Sequence, residues 1–239
     1  MPLRGIPEVR AGDDLAAIIA RFPLRDGDIV VVAQKIVSKA EGRVVRLGTV
    51  DPGERARDVA RATGKDPRLV QLILDESHAV LRQKSSLLIT RHRLGYIMAD
   101  AGIDASNSGG VETVILLPAD PDRSAGVLAE ALHSHSGARV GVVITDSWGR
   151  PWRLGTTGVA IGMAGVTSLR DMRGHPDRDG RLLKTTQIAT GDELAAAASL
   201  LMGQADEGLP VVVIRGLDLA DTGQNAMSLI RPHEEDVFR

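Results

Sequence analysis

The chain has no cysteine among its 239 residues. This absence excludes disulfide bonds, a thiolate nucleophile and any zinc or iron–sulfur centre held by cysteine. Aromatic residues are almost as scarce, with two tryptophans, one tyrosine and two phenylalanines. Because 43% of the residues are nevertheless hydrophobic, the core must be built mainly from aliphatic side chains. The chemistry left to the protein is that of carboxylates, amides, hydroxyls and basic groups.

A strong charge of one sign and long apolar runs are also missing. The formal net charge of -2 and the isoelectric point near 6.3 give no broad basic field, so we expect no nucleic-acid partner. No stretch approaches the roughly 18 apolar residues of a membrane span, and the N-terminus lacks the apolar core of a signal peptide. We therefore expect a cytoplasmic protein that does not enter a membrane.

The periodicity of apolar residues predicts alternating helices and strands. Helical spacing predicts helices at 13–22, 122–135 and 192–202, and two helices within 54–82 that are separated by a break near 65–67. Strand-like blocks predict strands at 28–35, 114–118, 140–146 and 210–215, and a hairpin over 86–99. The glycine-rich segment 151–166 favours close backbone approach over a regular amphipathic element. Because hairpins interleave with helices, the pattern predicts an α+β fold of mixed sheets, with two intimately packed subdomains inside one domain spanning 1–239.

The segment ITDSWGRPWRLG, residues 144–155, is the first candidate site. Asp146 and Ser147 end the most apolar predicted strand, and an aspartate there suits a hard cation such as Mg²⁺. The alternative is an aspartate that starts a loop and caps local backbone. Both tryptophans fall in this segment, and Arg150 and Arg153 are candidate binders of anionic substrate groups.

A second candidate is the loop AGIDASNSGG, residues 101–110, which follows a predicted strand. Asp104 could be a further metal ligand, with Asn107 three residues on, but an Asx-turn is the competing interpretation. Two such loops favour the metal together, because a divalent ion bound to phosphates needs only one or two protein carboxylates.

Lys35 and Lys39 lie at the end of a predicted strand, where they could bind phosphate as point charges or simply be surface lysines. Neither the G-x-x-x-x-G-K-[ST] nor the G-x-G-x-x-G motif is present. Any nucleotide site must therefore be of another kind.

Six blocks in order carry a resemblance to a known family: GIPEV (5–9), SKAEGR (38–43), AGIDASN (101–107), ITDSWGRPWRLG (144–155), VAIGMAG (159–165) and DELAAAASLLMG (192–203). Together they resemble the coenzyme F420 gamma-glutamyl ligases over nearly the whole chain. The resemblance implies a GTP-dependent acid–amino-acid ligase that joins L-glutamate to the phospholactyl carboxylate of the deazaflavin coenzyme precursor through an acyl phosphate. Further gamma-linked glutamates, a homodimer and two Mg²⁺ or Mn²⁺ sites are implied as well, and a role for K⁺ stays open.

The resemblance also assigns roles to individual residues. Asp104 and Asp146 match the ligands of one metal and are the implied catalytic residues, while Ser147 and Gln204 match positions of a second metal. Ser147 stands where many relatives have threonine, which keeps the hydroxyl. The positions that match GTP contacts are Ile6, Pro7, Glu8, Val9, Gln34, Lys35, Lys39, Asn107, Gly203, Gln204 and Ala205.

Other functions stay open at this stage. The chain could be a non-catalytic protein that binds a nucleotide or deazaflavin, or a ligase acting on an unrelated acid. Some actinobacterial members of the family carry a further reductase-like domain, and the length of this chain leads us to expect the ligase domain alone.

Overall fold

The computed structural model describes residues 1–219 and 221–237. Six α-helices lie in this part of the chain: α1 (Leu15–Ile19), α2 (Gln34–Ala40), α3 (Glu54–Thr63), α4 (Pro67–Asp75), α5 (Pro121–Ser136) and α6 (Thr190–Met202). The strands are β1 (Ile29–Ala33), β2 (Val44–Arg46), β3 (Ser77–Lys84), β4 (Leu87–His92), β5 (Ile97–Ala99), β6 (Thr113–Ile115), β7 (Gly141–Arg150), β8 (Arg153–Ala164), β9 (Arg170–Asp171), β10 (Gln187–Ile188) and β11 (Val211–Ile214).

A four-stranded sheet in the order β11-β1-β7-β8 forms the centre of the fold. Only β1 and β7 run parallel, and the other two pairs are antiparallel. Strand β1 is buried on both faces: Val30 and Val32 pack in one hydrophobic cluster, and Ile29 and Val31 in another. This explains why β1 appears in the sequence as a continuous β-branched block.

Helices cover both faces of the central sheet. The first cluster contains Leu15 of α1 and Leu128 of α5, whereas the second contains Leu194 and Ala198 of α6. A second group of elements, the three-stranded sheet β3-β4-β5 with α3 and α4, has its own cluster around Ile73. The α+β prediction with mixed sheets is confirmed. No helix in the described part of the chain is long and apolar enough to cross a membrane.

Two predicted elements change type in the structure. The second helix predicted within 54–82 ends at Asp75, and the residues that follow form β3. They pair with β4 from Ser77 to Lys84, so pairing with a distant segment overrides the local helical period. The predicted strand 28–35 was also too long, because β1 ends at Ala33. Lys35 and Lys39 consequently lie on helix α2 and not at a strand end.

The glycine-rich segment 151–166 was predicted to favour close backbone approach over a regular amphipathic element, but most of it forms a regular element, the 12-residue strand β8. The close backbone approach is confirmed. A Cβ added to Gly158 would lie 2.3 Å from the Ala195 carbonyl oxygen of α6, and one added to Gly162 would lie 2.3 Å from the carbonyl oxygen of Pro121 in α5. These two glycines let both helices pack directly on the strand backbone.

A buried carboxylate links the two groups of elements. Glu76, directly after α4, accepts hydrogen bonds from Arg43 at 2.8 Å and from Arg93 at 3.0 Å. The same two arginines donate to the carbonyl oxygens of Leu117 and Ala119. Although burial opposes it, hydrogen bonding with His92 and the arginines lowers the pKa of Glu76 to about 2. The hydrogen bonds around Glu76 therefore connect the segments that follow α2, α4 and β6.

Candidate active site

Asp146 lies on β7 where the buried part of the strand ends. The register of β7 against β8 shifts between Ile144 and Thr145, which leaves Ile161 of β8 without a partner and makes a β-bulge. The Tyr96 hydroxyl donates to the carbonyl oxygen of Ile161 at 2.5 Å, and the Tyr96 ring meets Trp148 edge-on with centroids 5.4 Å apart. The bulge that orients this part of β7 is therefore fixed by buried aromatic side chains.

The carboxyl group of Asp146 is closely surrounded by protein. Burial raises its pKa to about 7, the nearby negative charge of Asp104 adds to this, and Lys35 and Gln34 act against it. Because Asp146 is inside a strand, the alternative of an aspartate that starts a loop is wrong. A carboxyl group that is surrounded by protein in this way is most stable as an anion when a cation lies beside it.

Asp104 follows a short stretch of strained backbone. Asp100, Ala101 and Gly102 all have positive φ, and Ala101 is fully buried. Asp104 then pairs with Ile115 through two backbone hydrogen bonds of 3.1 and 2.8 Å, which extends the small sheet of β2 and β6. Its Oδ1 accepts from the backbone N–H of Ser106 at 2.6 Å, so the Asx-turn interpretation also holds.

The second oxygen of Asp104 faces the lysines of α2. Lys35 Nζ lies 2.8 Å from Asp104 Oδ2 and 2.5 Å from Ser106 Oγ. Burial would raise the pKa of Asp104, but hydrogen bonds from Lys35 and Ser106 lower it below its ordinary value. One turn further along the helix, Lys39 Nζ lies 2.5 Å from Glu8. Asp104, Asp146 and Lys35 thus interact although they come from three distant segments.

A cleft of about 410 Å³ opens beside these charges. Its lining includes most residues predicted for the site, namely Ile6, Pro7, Glu8, Val9, Gln34, Lys35, Lys39, Asn107, Asp146, Ser147, Gly203, Gln204 and Ala205. Asp104 is not part of the lining itself and reaches the cleft through its contact with Lys35. Asn107 Nδ2 donates to the carbonyl oxygen of Ala205 at 3.3 Å, which joins the loop after Asp104 to the loop after α6.

The loop after α6 folds tightly over its own backbone. Gly203 has φ +73°, and a Cβ there would lie 2.0 Å from the Glu207 side chain. The Glu207 carboxylate accepts a hydrogen bond from Ala205 N at 2.8 Å, and such backbone hydrogen bonds lower its pKa. The positive φ favours glycine at position 203, whereas the contact with the far end of the Glu207 side chain could be relieved by movement of that side chain.

Arg150 and Arg153 are not among the residues that line this cleft. They face each other at the tip of the hairpin formed by β7 and β8. Their predicted contact with anionic substrate groups stays a prediction. Sequence reasoning also missed lining residues, among them Thr145, Gly158, Ser199 and Met202. The available signal for Gly158 was its place in the glycine-rich segment 151–166, where the backbone can be approached closely.

The donor set suits a hard divalent cation. Asp104 and Asp146 offer carboxylate oxygens, Ser147 a hydroxyl and Gln204 an amide oxygen, and Mg²⁺ and Mn²⁺ prefer such oxygen ligands. In the described part of the chain, no group of three or more acidic, histidine or cysteine side chains could hold a metal alone. Two carboxylates with basic side chains beside them match a cation that is shared with a phosphate ligand.

The fold and cleft define a class of α+β protein in which carboxylates and lysines converge at one end of a mixed sheet. Comparison with known sequences gives the family: residues 5–216 match the model of F420-0:Gamma-glutamyl ligase, and the chain belongs to this family of ligases. It is 43% identical to the coenzyme F420:L-glutamate ligase of Methanocaldococcus jannaschii over 236 residues, covering 98% of this chain and 94% of the relative.

Two more relatives of the same description are equally similar. The protein of Methanothermobacter thermautotrophicus is 46% identical over 246 residues, which cover 99% of this chain and 97% of the relative. That of Methanopyrus kandleri is 47% identical over 237 residues, which cover 97% of this chain and 94% of the relative. The resemblance stated from the six sequence blocks is confirmed.

Proposed function

We propose that the protein is a GTP-dependent ligase that joins L-glutamate to the phospholactyl carboxylate of the coenzyme F420 precursor. Membership in the family of F420-0:gamma-glutamyl ligases supports the reaction, and the relatives named above are described as coenzyme F420:L-glutamate ligases. One observation in the structure supports the use of a nucleoside triphosphate, and the family resemblance implies that this is GTP: Asp104, Asp146 and Lys35 converge from distant segments beside a cleft that Lys39 also lines. Acidic and basic groups so close together suit a cation and a polyphosphate.

The proposed chemistry begins with the poor reactivity of a carboxylate toward an amine. The precursor carboxylate attacks the γ-phosphorus of GTP, the bond to the bridging oxygen breaks, and GDP leaves as an acyl phosphate forms. The glutamate amine then attacks the acyl carbon, phosphate departs, and the amine proton passes to solvent or phosphate. Such a reaction depends on positioning and charge more than on covalent chemistry by the protein. This agrees with a chain that has no cysteine.

In this proposal the residues of the cleft hold the groups in place. Asp104 and Asp146 ligate one divalent ion, Ser147 and Gln204 contribute to a second, and bound Mg²⁺ or Mn²⁺ would neutralise phosphate oxygens. Lys35 and Lys39 bind phosphate as point charges, and Asn107 with the loop 203–205 borders the nucleotide. The N-terminal segment formed by Ile6, Pro7, Glu8 and Val9 also lines the cleft.

The direct test is an end-point assay by mass spectrometry. Purified protein is incubated with GTP, Mg²⁺ or Mn²⁺, L-glutamate and the deazaflavin precursor, with ATP in a parallel reaction. We expect the precursor mass to rise by one glutamyl unit, or by several if further gamma-linkages form, together with GDP. Binding of GTP without GDP or product would favour the non-catalytic alternative, and product from a different acid alone would place the enzyme on another substrate.

Substitution of the two aspartates tests the metal assignment. Asp104→Asn and Asp146→Asn should each abolish turnover while the thermal unfolding midpoint stays close to that of the parent protein. Asp192→Asn is a matched control, because Asp192 is another partly buried aspartate whose Oδ1 accepts from Ala160 N, a bond that asparagine can keep. Near-normal turnover of either cleft variant at limiting Mg²⁺ would refute the assignment.

We also propose a homodimer, as the family resemblance implies. The hairpin of β7 and β8 ends in Trp152, which is 83% exposed, and Leu154, which is 99% exposed. Exposed large apolar side chains next to each other are typical of protein interfaces. Light scattering should give twice the monomer mass, and Leu154→Asp should lower it, whereas a monomeric parent protein would contradict the proposal.

A further inference from the structure

Helix α2 contains a buried polar pair behind the lysines. Gln34 is 1% exposed and Ser38 is fully buried, and Ser38 Oγ donates to Gln34 Oε1 at 2.9 Å. The two residues are four positions apart and therefore lie on the same face of the helix. The contact orients the amide of Gln34, the residue at which β1 passes into α2.

The other end of that amide has no partner of its own. Gln34 Nε2 is buried and makes no hydrogen bond of good geometry with the described residues. A buried amide donor left in this state is destabilising, so such groups are uncommon in folded proteins and call for an explanation. Gln34 lines the same cleft as Asp146 and lies within hydrogen-bonding reach of its carboxyl group.

The hydrogen bond with Ser38 and the nearby carboxyl group of Asp146 favour the same orientation of the amide. If the amide were turned over, Oε1 would face the carboxyl oxygens of Asp146, and two acceptors would repel each other. The Ser38 hydroxyl meanwhile is satisfied as a donor to Oε1. A carboxylate that ligates a cation through one oxygen is held best when a second donor binds its other oxygen.

We propose that Ser38 and Gln34 are positioning residues for Asp146: Ser38 holds the Gln34 amide so that its Nε2 donates to the carboxylate oxygen that faces away from the cation. This inference rests on the proposed metal-binding role of Asp146. Neither residue needs to touch the cation, and Ser38 does not line the cleft. The pair sets the direction in which Asp146 presents its free oxygen to the cleft.

The test measures Mn²⁺ binding in the presence of GDP, because the cation is expected to be shared with phosphate, by the electron paramagnetic resonance signal of free Mn²⁺, with Mn²⁺ and GDP without protein as the blank. Loss of a residue that orients a metal ligand typically weakens metal binding about 10-fold or more. We expect Ser38→Ala and Gln34→Met each to raise the Mn²⁺ dissociation constant about tenfold, and Ser38→Thr, which keeps the hydroxyl, to restore it. In the Gln34→Met background, Ser38→Ala should have no further effect, because both residues act through one chain of contacts.

A matched control is available elsewhere in the fold. Ser168 is also fully buried and also donates to a glutamine Oε1, that of Gln224, outside the cleft. Ser168→Ala should lower the thermal midpoint as Ser38→Ala does but leave Mn²⁺ binding unchanged. If Ser38→Ala does not fold, Gln34→Met alone carries the test.

The outcomes separate this inference from the proposed function. If Asp146→Asn weakens Mn²⁺ binding but Ser38→Ala and Gln34→Met do not, the positioning role is overturned and the metal site stands. If Asp146→Asn itself leaves Mn²⁺ binding unchanged, both fall. Equal weakening by Ser168→Ala would mean that Ser38 acts only through general stability, which also overturns the inference.

Discussion

Gly158→Ala should damage both the fold and the cleft. The new methyl carbon would lie 2.3 Å from the Ala195 carbonyl oxygen and 2.7 Å from its carbonyl carbon, where side-chain carbons need at least 3.0 Å. Strand β8 and helix α6 would have to separate by 0.7 Å or more, and both are backbone, so no flexible side chain can relieve the contact. Overpacking of this kind costs about 1–3 kcal/mol and occasionally more.

For a chain of this length, that cost corresponds to a fall of about 2–12 °C in the thermal midpoint. Ligase turnover should fall as well, because Gly158 pairs with Ser147 and lines the cleft. Gly149→Ala is the matched control in the same hairpin: a Cβ there meets nothing within 4 Å, so its stability should change by no more than about 0.5 kcal/mol. Differential scanning calorimetry and the mass-spectrometric assay measure both effects. A Gly158→Ala variant as stable and active as the parent protein would refute the packing argument.

Three other perturbations test the charged contacts. Glu76→Gln should lower the free energy of unfolding by up to about 3 kcal/mol at pH 7, because the pKa of Glu76 falls from 4.5 to about 2 on folding. This stability is present above pH 4.5 and is lost as the pH falls toward 2, so the urea midpoints of variant and parent should converge in acid. Asp28→Asn removes a buried carboxylate whose two oxygens each lie 2.6 Å from Arg215. The free energy of unfolding in urea at pH 7 should fall by about 2 kcal/mol, whereas an unchanged value would mean that this ion pair does not stabilise the fold. Lys35→Met should raise the KM for GTP about tenfold or more in steady-state kinetics with the fold intact, and an unchanged KM would exclude a phosphate contact.

The sequence predicted those parts of the fold that depend on local pattern. Strand β1 was recognisable because both of its faces are buried, and α5 and α6 because one face of each is apolar. Strand β3 could not be predicted, since its residues form a strand only through pairing with β4. Strand β8 was missed because glycines that allow helices to pack on its backbone weaken the strand pattern.

The residues of the candidate site likewise divide into those that local sequence indicates and those that only long-range contacts bring together. Asp104 and Asp146 were found because each is a carboxylate at the end of an apolar block, and the family resemblance supplied Gln34 and the loop 203–205. That Lys35 pairs with Asp104 could not be foreseen, because the contact joins residues far apart in the chain through a helix whose first two residues were predicted to belong to a strand. Arg150 and Arg153 illustrate the converse: nearness in sequence to Asp146 did not bring them into the lining of the cleft.

If Asp104 and Asp146 share one divalent ion beside a polyphosphate, anomalous X-ray diffraction from crystals grown with Mn²⁺ and GDP will locate that ion. We expect a manganese peak at bonding distance from one carboxylate oxygen of each aspartate and from a phosphate oxygen of GDP. Manganese peaks that touch neither carboxylate, with GDP bound outside this cleft, would contradict it.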